Sequence, residues 1–323
     1  MVQRPCYIIR TRTTISIIER TGSIHVETIS ITSTFNPLLR DAFRCMLLTR
    51  IVDDYALKLH EQGQIGFVAS CRGHEAAQVG SALCIEVGED FTLPYYRDLG
   101  VVLSVGMTAY EVFRTYLQAY SQWVHDSSVR AETRPATLHW GYHKHNIVTG
   151  PAPVATQILH AAGIAFASKL RKSSAVTVAY CGDGAATEPD FLEGVTFAAL
   201  HQLPVVFVCE QDCADIEQAS MRGLSLPAGL DHHLIDGSDV AVVYTAMQNA
   251  MQHARAGRGP VLLEMKVSRS ISREQRDPLL RCQRLIEEQG IWDEQWAAEL
   301  QARLRTEVEQ AMQDALRDVS EAD

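Results

Sequence analysis

Two apolar β-rich runs in the middle of the chain are joined by a glycine turn and a helix. The first run covers residues 175–180 and leads into the Gly-Asp-Gly turn at 182–184, and the second run covers residues 204–209. Between them, residues 190–202 have the spacing of an amphipathic helix. Strand, turn, helix and strand in this order form a βαβ unit, whose two strands run parallel. The pattern predicts an α/β fold with a mostly parallel sheet flanked by helices.

Helical patterns surround this unit on both sides. Apolar residues recur at three- and four-residue steps over 36–59, and further helical runs cover 75–84, 109–120, 155–170 and 240–256. Residues 91–100 indicate a loop or a short element, and 260–265 another strand. From residue 278 onward, two helices form a tail whose apolar stripe must pack on the main domain or on a partner. We therefore divide the chain into an N-terminal extension (1–35), an α/β domain (36–270) and a helical C-terminal tail (271–323).

The first 35 residues differ in composition from the rest of the chain. They are rich in Ser, Thr, Ile and Arg, and their first acidic residue is Glu19. A composition rich in Arg and poor in acids is typical of organelle transit peptides. The β-branched residues, however, fit a helix poorly, and Glu19 and Glu27 interrupt the charge pattern. We interpret the segment as an extension or a short hairpin of a cytoplasmic protein.

Charge and cysteine content exclude several classes of protein. The chain has 29 Lys and Arg against 39 Asp and Glu, a net charge of -10, which disfavours a nucleic-acid partner or an anionic membrane surface. No apolar run approaches the roughly 18 residues of a membrane span. The 8 cysteines form no CxxC pair, so we expect buried, reduced thiols rather than a zinc or redox site.

The glycine turn is typical of a phosphate-binding loop, because glycine lets the backbone approach an anion at the start of a helix. It is not a P-loop, since no GxxxxGK[ST] pattern occurs. A nicotinamide dinucleotide site requires a third glycine at the position that Thr187 occupies, which excludes that class of oxidoreductase. Asp183 between the two glycines repels a bare diphosphate, so a divalent cation is needed between them.

A second aspartate follows the second strand of the unit. Because the carboxyl ends of neighbouring parallel strands meet at one edge of a sheet, we expect Asp183 and Asp212 to lie close together. Magnesium takes one or two carboxylates together with phosphate oxygens and water. The alternative is that both residues are ordinary turn-forming aspartates at strand ends. The spacing leaves both interpretations open.

The segment 182–212, GDGAATEPDFLEGVTFAALHQLPVVFVCEQD, resembles the thiamine diphosphate motif, in which Gly-Asp-Gly is followed by Asn-Asn. More specifically, the chain resembles the alpha subunit of the decarboxylase component of 2-oxo acid dehydrogenase complexes, nearest the branched-chain 2-oxo acid branch. The likeness extends over about residues 36–323. Other segments that carry it are LPYYRDLG at 93–100, HWG at 139–141, NIVTGPAPVATQ at 146–157 and QGIWDEQW at 289–296.

The resemblance implies a thiamine diphosphate-binding fold and two cofactors, thiamine diphosphate and Mg²⁺. The cofactor-contacting residues that it implies are Tyr96, Arg97, Val154, Gly182, Asp183, Gly184, Ala185 and Asp212. Asp183, Asp212 and the backbone carbonyl of Ala214 are then the metal ligands. The guanidinium fork of Arg97 suits a phosphate, although a surface arginine in a salt bridge is the alternative.

His139 is the catalytic residue that the resemblance implies, close to the substrate entrance. Histidine is the usual proton-transfer residue near neutral pH. Two other interpretations stay open: His139 is a loop histidine without a role, or the neighbouring His143 and His145 form a weak metal site.

In the resembled family, the cofactor carbanion attacks a small 2-oxo acid, carbon dioxide leaves, and the acyl group passes to a lipoyl-lysine. The glutamate that activates the cofactor comes from a beta subunit. The resemblance thus implies a partnership of two alpha and two beta chains, together with a lipoylated acyltransferase component. It leaves the substrate open among branched-chain 2-oxo acids, pyruvate and acetoin.

The chain departs from the family pattern at three places. Gln211-Asp212 replaces Asn-Asn, and the segment 213–236 is shorter, with Cys213-Ala214 in place of Gly-Tyr. The loop at 266–273, KVSRSISR, lacks the histidine that contacts cofactor and lipoyl substrate, and no histidine follows His253. We therefore expect either a working but divergent alpha subunit or a catalytically impaired paralogue with a structural or regulatory role.

Overall fold

The computed structural model describes residues 6–11, 14–18, 36–125, 139–150, 153–212, 221, 224–269 and 277–322. Within these ranges, seven strands form one sheet in the order β2-β1-β6-β7-β5-β4-β3. The strands are β1 (Cys6–Thr11), β2 (Thr14–Ile18), β3 (Phe91–Leu93), β4 (Thr177–Gly182), β5 (Val205–Asp212), β6 (Asp231–Asp236) and β7 (Val261–Val267). Neighbouring strands pair in parallel, except for the antiparallel hairpin of β1 and β2.

The helices that pack around the sheet are α1 (Asn36–Glu61), α2 (Glu75–Ala82), α3 (Leu99–Ser104), α4 (Ala109–His125), α5 (Thr156–Leu170), α6 (Pro189–Leu200), α7 (Val240–Arg255), α8 (Pro278–Glu288) and α9 (Glu294–Ala322). No helix within the described ranges is both long and apolar enough to cross a membrane. The predicted α/β fold with a mostly parallel sheet and a helical C-terminal tail is confirmed.

Helices cover both faces of the central strands. In β4, Val178 and Tyr180 join the larger core with α1, α2 and α7, whereas Ala179 and Cys181 join a second core under α5 and α6. Side chains of a strand alternate between the two faces, so a strand buried on both must be apolar throughout. This requirement explains the apolar runs at residues 178–181 of β4 and 205–209 of β5.

The tail packs on the main domain. Leu300, Leu304 and Val308 of α9 are buried in the larger core, and α9 lies against α4 and α1. The rings of Trp292 and Trp296 lie against Phe43 of α1, with centroids 5.2 and 5.9 Å away. The apolar stripe of the tail, for which the sequence leaves the partner open, therefore packs on the main domain.

The sequence does not predict β6, and the structure explains the omission. Its residues Asp231, His232, His233 and Asp236 are polar, yet the strand pairs with β7 from Asp231 to Asp236. His232 Nε2 lies 3.2 Å from the buried carboxylate of Glu264 in β7. Four polar residues in a strand of six leave no apolar periodicity to detect.

A buried ion network joins α1, α2 and α8. Arg50 Nε donates to Glu75 at 2.8 Å, and its two terminal nitrogens donate to Asp277 at 2.8 and 2.9 Å. Asp277 also caps α8 by accepting from the Leu279 backbone N–H at 2.9 Å. The other Glu75 oxygen accepts from the Gly73 backbone N–H at 2.8 Å. One guanidinium therefore fixes the start of α2, the start of α8 and the loop before α2.

We expect Arg50→Gln to destabilise the fold by about 3–5 kcal/mol, because Glu75 remains buried without its counter-charge. Urea unfolding followed by circular dichroism measures this loss. The matched control is Arg303→Gln on α9, whose side chain is 62% exposed and should change stability by no more than about 0.5 kcal/mol. Equal stability of the two variants would show that Glu75 does not depend on Arg50.

Candidate active site

The glycine turn lies where β4 ends, at the carboxyl edge of the sheet. β4 ends at Gly182, a 3-10 turn covers Asp183–Thr187, and α6 begins at Pro189. Gly182 pairs with Glu210 of β5, and β5 ends two residues later at Asp212. Asp183 and Asp212 thus follow adjacent parallel strands at the same edge, as the βαβ pattern predicts.

A cleft of about 150 Å³ opens in front of this turn. Its lining residues are Pro94, Tyr95, Tyr96, His139, Trp140, Gly150, Pro153, Val154, Gln157, Cys181, Gly182, Asp183, Gly184 and Ala185. The sequence-predicted residues among them are Tyr96, His139, Val154, Gly182, Asp183, Gly184 and Ala185. The predicted residues Arg97 and Asp212 lie beside the cleft without lining it. The predicted metal ligand Ala214 lies outside the described residues.

Gly184 leaves open space on the cleft side of the turn. A Cβ built on this residue meets no atom within 4 Å, whereas a Cβ on Gly182 comes within 3.5 Å of the Tyr95 ring. The Gly184 N–H donates to the carboxylate of Asp183 at 3.0 Å, which holds that side chain against the turn. The turn therefore offers room for a phosphate-sized group beside a carboxylate that can hold a cation.

Tyr96 and Arg97 occupy the loop between β3 and α3. The Arg97 guanidinium lies 5.6 Å from the centre of the Tyr96 ring and donates a hydrogen bond to the Ser70 carbonyl. Arg97 is half-buried and faces the loop before α2 in this structure. Its predicted role on a diphosphate stays a prediction.

The loop that carries His139 is fixed by its neighbour. Trp140 is buried, and its indole N–H donates to the Tyr96 carbonyl at 3.2 Å. His139 is half-buried, and burial lowers the pKa of its imidazole. A neutral imidazole at the cleft can accept a proton at pH 7, which suits the predicted catalytic role.

Asp212 is bound by Arg269, which lies two residues past the end of β7. The backbone N–H of Arg269 donates to Asp212 Oδ1 at 3.1 Å, and Arg269 Nε donates to Oδ2. Partial burial by itself raises the pKa of Asp212, but the hydrogen bonds from Arg269 outweigh it and keep that pKa below its ordinary value. The carboxylate is therefore charged at neutral pH. Sequence analysis misses Arg269, because no local pattern links it to Asp212.

Glu210 is a second residue that sequence analysis misses. It is buried, and its Oε2 atom lies 2.6 Å from His74 Nδ1, 3.0 Å from the Tyr95 hydroxyl and 3.1 Å from Gln78 Nε2. These groups form the floor behind Tyr95, which itself lines the cleft. The sequence does contain a signal for this cluster, namely a carboxylate directly after an apolar strand segment. A buried acid in that position needs several hydrogen-bond donors around it.

The described residues contain no group of three or more His, Cys, Asp or Glu side chains that could hold a metal ion. The donors that the site does offer are the carboxylates of Asp183 and Asp212 at one sheet edge. Magnesium needs only one or two protein carboxylates when phosphate oxygens and water complete its shell. The donor set therefore fits a cation that arrives together with a phosphorylated cofactor.

Fold and turn together define an α/β protein with a phosphate-accepting site at the carboxyl edge of a parallel sheet. The family described as dehydrogenase E1 component matches residues 43–272, and the chain belongs to that family. The family resemblance that the motifs predict is confirmed.

Two similar proteins are named enzyme subunits. The chain is 39% identical over 232 residues to the 2-oxoisovalerate dehydrogenase subunit alpha of Bacillus subtilis (strain 168), covering 69% of this chain and 68% of that protein. It is 30% identical over 297 residues to the pyruvate dehydrogenase E1 component subunit alpha of Staphylococcus aureus (strain Mu50 / ATCC 700699), covering 84% and 76%. The predicted class of enzyme subunit, a 2-oxo acid dehydrogenase alpha chain, agrees with both.

We expect His139 to titrate below the ordinary imidazole pKa of about 6.5, because burial disfavours the imidazolium. Because the folded state binds this proton less tightly than the unfolded chain, stability falls as the pH drops through the unfolded pKa of about 6.5, and the loss levels off below the folded pKa. Proton NMR across pH 5–8 measures the midpoint, with the resonance assigned by its loss in His139→Gln. A midpoint above 6.5 would contradict the buried position of this ring.

Proposed function

We propose that the chain is the alpha subunit of a thiamine diphosphate-dependent 2-oxo acid dehydrogenase, which decarboxylates a 2-oxo acid and passes the acyl group to a lipoyl-lysine. The observation that carries the proposal is the open Gly184 turn beside Asp183, at the carboxyl edge of the sheet in a member of this family. A turn with glycine on both sides of a carboxylate matches a diphosphate bound through a cation.

Different residues at the cleft contact different parts of the cofactor. Gly182, Gly184 and Ala185 admit the diphosphate, and Asp183 and Asp212 hold Mg²⁺ at the sheet edge. Val154 meets the aminopyrimidine ring through its backbone. When bound, thiamine diphosphate supplies the nucleophilic carbon and the electron sink for decarboxylation, while the protein orients it.

His139 and its neighbours serve the substrate side of the cleft. The neutral imidazole accepts or returns a proton at the entrance, where Trp140 and Tyr96 fix its loop. Removing a positioned proton-transfer group typically lowers the rate of the chemical step by about 10²–10⁴-fold. His139 is therefore the residue of this chain that we assign to catalysis.

The cleft has the features of half a site. Its 150 Å³ is well below the roughly 300–1,000 Å³ of complete small-molecule sites, and Val154 on its wall is 51% exposed. Away from the cleft, toward the carboxyl ends of α5 and α6, the large apolar side chains of Leu170, Phe197 and Leu200 are exposed. Exposed apolar patches of this kind mark protein interfaces. We therefore propose a beta subunit as the partner, in an assembly of two alpha and two beta chains that serves a lipoylated acyltransferase component.

A branched-chain 2-oxo acid is the proposed substrate. Support comes from the 39% identity to the 2-oxoisovalerate dehydrogenase subunit alpha, against 30% to the pyruvate dehydrogenase subunit. Pyruvate and acetoin are the competing substrates. Turnover of each by the assembled complex, compared as kcat/KM, decides among them.

A catalytically impaired paralogue is the second candidate. Two observations favour it: no histidine follows His253 in the sequence, and both oxygens of Asp212 are engaged by Arg269. Such a chain keeps the fold and assembles with a beta subunit without efficient chemistry. Cofactor binding separates the two candidates.

With a beta-type partner co-expressed, we expect thiamine diphosphate to bind with a micromolar Kd, about -8 kcal/mol, only when Mg²⁺ is present. Asp183→Ala should abolish this Mg²⁺-dependent binding, because it removes a metal ligand from an exposed turn without opening a cavity. Gly184→Ala should also abolish it by filling the space for the diphosphate. Titration calorimetry measures binding, and thermal unfolding tests whether both variants fold.

Asp314→Ala on the exposed face of α9 is the charge-matched control and should bind normally. Unchanged binding in Asp183→Ala would exclude the proposed metal site. A well-folded wild-type complex that binds no cofactor would favour the paralogue.

The purified alpha chain alone should decarboxylate no 2-oxo acid, because its cleft supplies only one wall of the site. Carbon dioxide release from labelled 2-oxo acids, with thiamine diphosphate and Mg²⁺ present, measures this directly. The co-expressed pair is the positive control. Turnover by the alpha chain alone would contradict the shared site.

A further inference from the structure

Arg269 engages both oxygens of Asp212, the residue that stands where the family motif has asparagine. The Arg269 backbone N–H binds Oδ1 at 3.1 Å, and its guanidinium forms an ion pair with Oδ2. The Arg269 side chain is 58% exposed and that of Asp212 26% exposed, so the pair lies at the rim of the sheet edge. Because Arg269 contacts the Asp212 carboxylate through both its backbone and its side chain, it fixes the orientation of that carboxylate.

Two structural features place Arg269 there. β7 pairs with β5 through to Val267 and Asp212, so Arg269 follows the last paired residue by two positions. Gly73, at φ +88°, lies against the Ser268 carbonyl so closely that a Cβ would come within 2.0 Å of its oxygen. The absence of a side chain at Gly73 therefore sets where the chain leaves β7, and with it the position of Arg269.

The charges at this edge need a compensating cation. Asp183 and Asp212 are two carboxylates on adjacent strand ends, and a diphosphate adds further negative charge. Asparagine at the second position would carry no charge. Asp212 adds one negative charge, and Arg269 offsets it with one positive charge on the same carboxylate, so the pair is neutral.

We propose that Arg269 is a positioning residue of the cofactor site, which neutralises Asp212 and orients it toward the divalent cation. This proposal rests on the proposed function. A carboxylate has lone pairs enough to keep the guanidinium on one oxygen while the other faces a cation. Arg269 thus offsets the charge of Asp212, and its contribution depends on that aspartate.

The test is a double-mutant cycle on the complex of this chain with its beta-type partner. The measured quantity is the Kd of thiamine diphosphate at saturating Mg²⁺ for the wild type, R269Q, D212N and R269Q/D212N. We expect R269Q to weaken binding at least tenfold in the wild-type background, a loss of about 1.4 kcal/mol in binding free energy. In the D212N background, R269Q should change Kd by less than about threefold, because no carboxylate is left to neutralise.

Arg258→Gln, an exposed arginine just before the start of β7, is the matched control and should leave Kd unchanged. Thermal unfolding of every variant tests folding, which an exposed arginine should not affect. An equal loss from R269Q in both backgrounds would assign Arg269 to direct phosphate contact and overturn the proposal, as would no loss in either. A wild-type complex that binds no cofactor overturns the proposed function and this inference together, whereas binding with an additive cycle overturns the inference alone.

Discussion

The site depends on the hydrogen-bonded register of β5 with the strands on either side. β5 pairs with β4 through to Glu210 and with β7 through to Asp212. It therefore fixes where both neighbouring strands end at the carboxyl edge of the sheet. Alternation along the strand then directs Glu210 to the face of α2 and Gln211 to the opposite face, where it meets Lys266. A slip of one residue would exchange these faces and bury the wrong groups. The turn, the buried acid and the rim aspartate are thus fixed by one ladder.

Glu210 shows how this ladder stabilises the cleft. A carboxylate in a buried strand is unfavourable unless donors surround it, and His74, Gln78 and Tyr95 all meet its Oε2 atom. Those donors come from α2 and from the loop before α3, so satisfying one acid draws two separate segments to the same point. Tyr95 in turn lines the cleft. The side chains that offset the free-energy cost of burying Glu210 therefore also fix the position of the residues that line the cleft.

The sequence predicts those parts of the fold whose signal is local. The βαβ unit, α1, α5, α7 and the tail all follow from apolar periodicity, and the Gly-Asp-Gly turn follows from its own residues. β6 does not, because four of its six residues are polar and leave no apolar periodicity. The pairing of Arg269 with Asp212 spans 57 residues of sequence, and no periodicity encodes it. Arg97 carries the opposite lesson: its residue type indicates phosphate, while the structure places its guanidinium on the Ser70 carbonyl.

Departures from a family pattern have meaning only together with their neighbours in space. Taken alone, aspartate in place of asparagine adds charge against a diphosphate and suggests a damaged site. Taken with Arg269, the aspartate belongs to a neutral ion pair, which asparagine cannot form. In the proposed function, proton transfer falls to His139, since no histidine follows His253, whereas the charge of the cofactor falls to Asp183, Asp212 and Arg269. Binding and chemistry can therefore diverge separately in this chain, because different residues carry them.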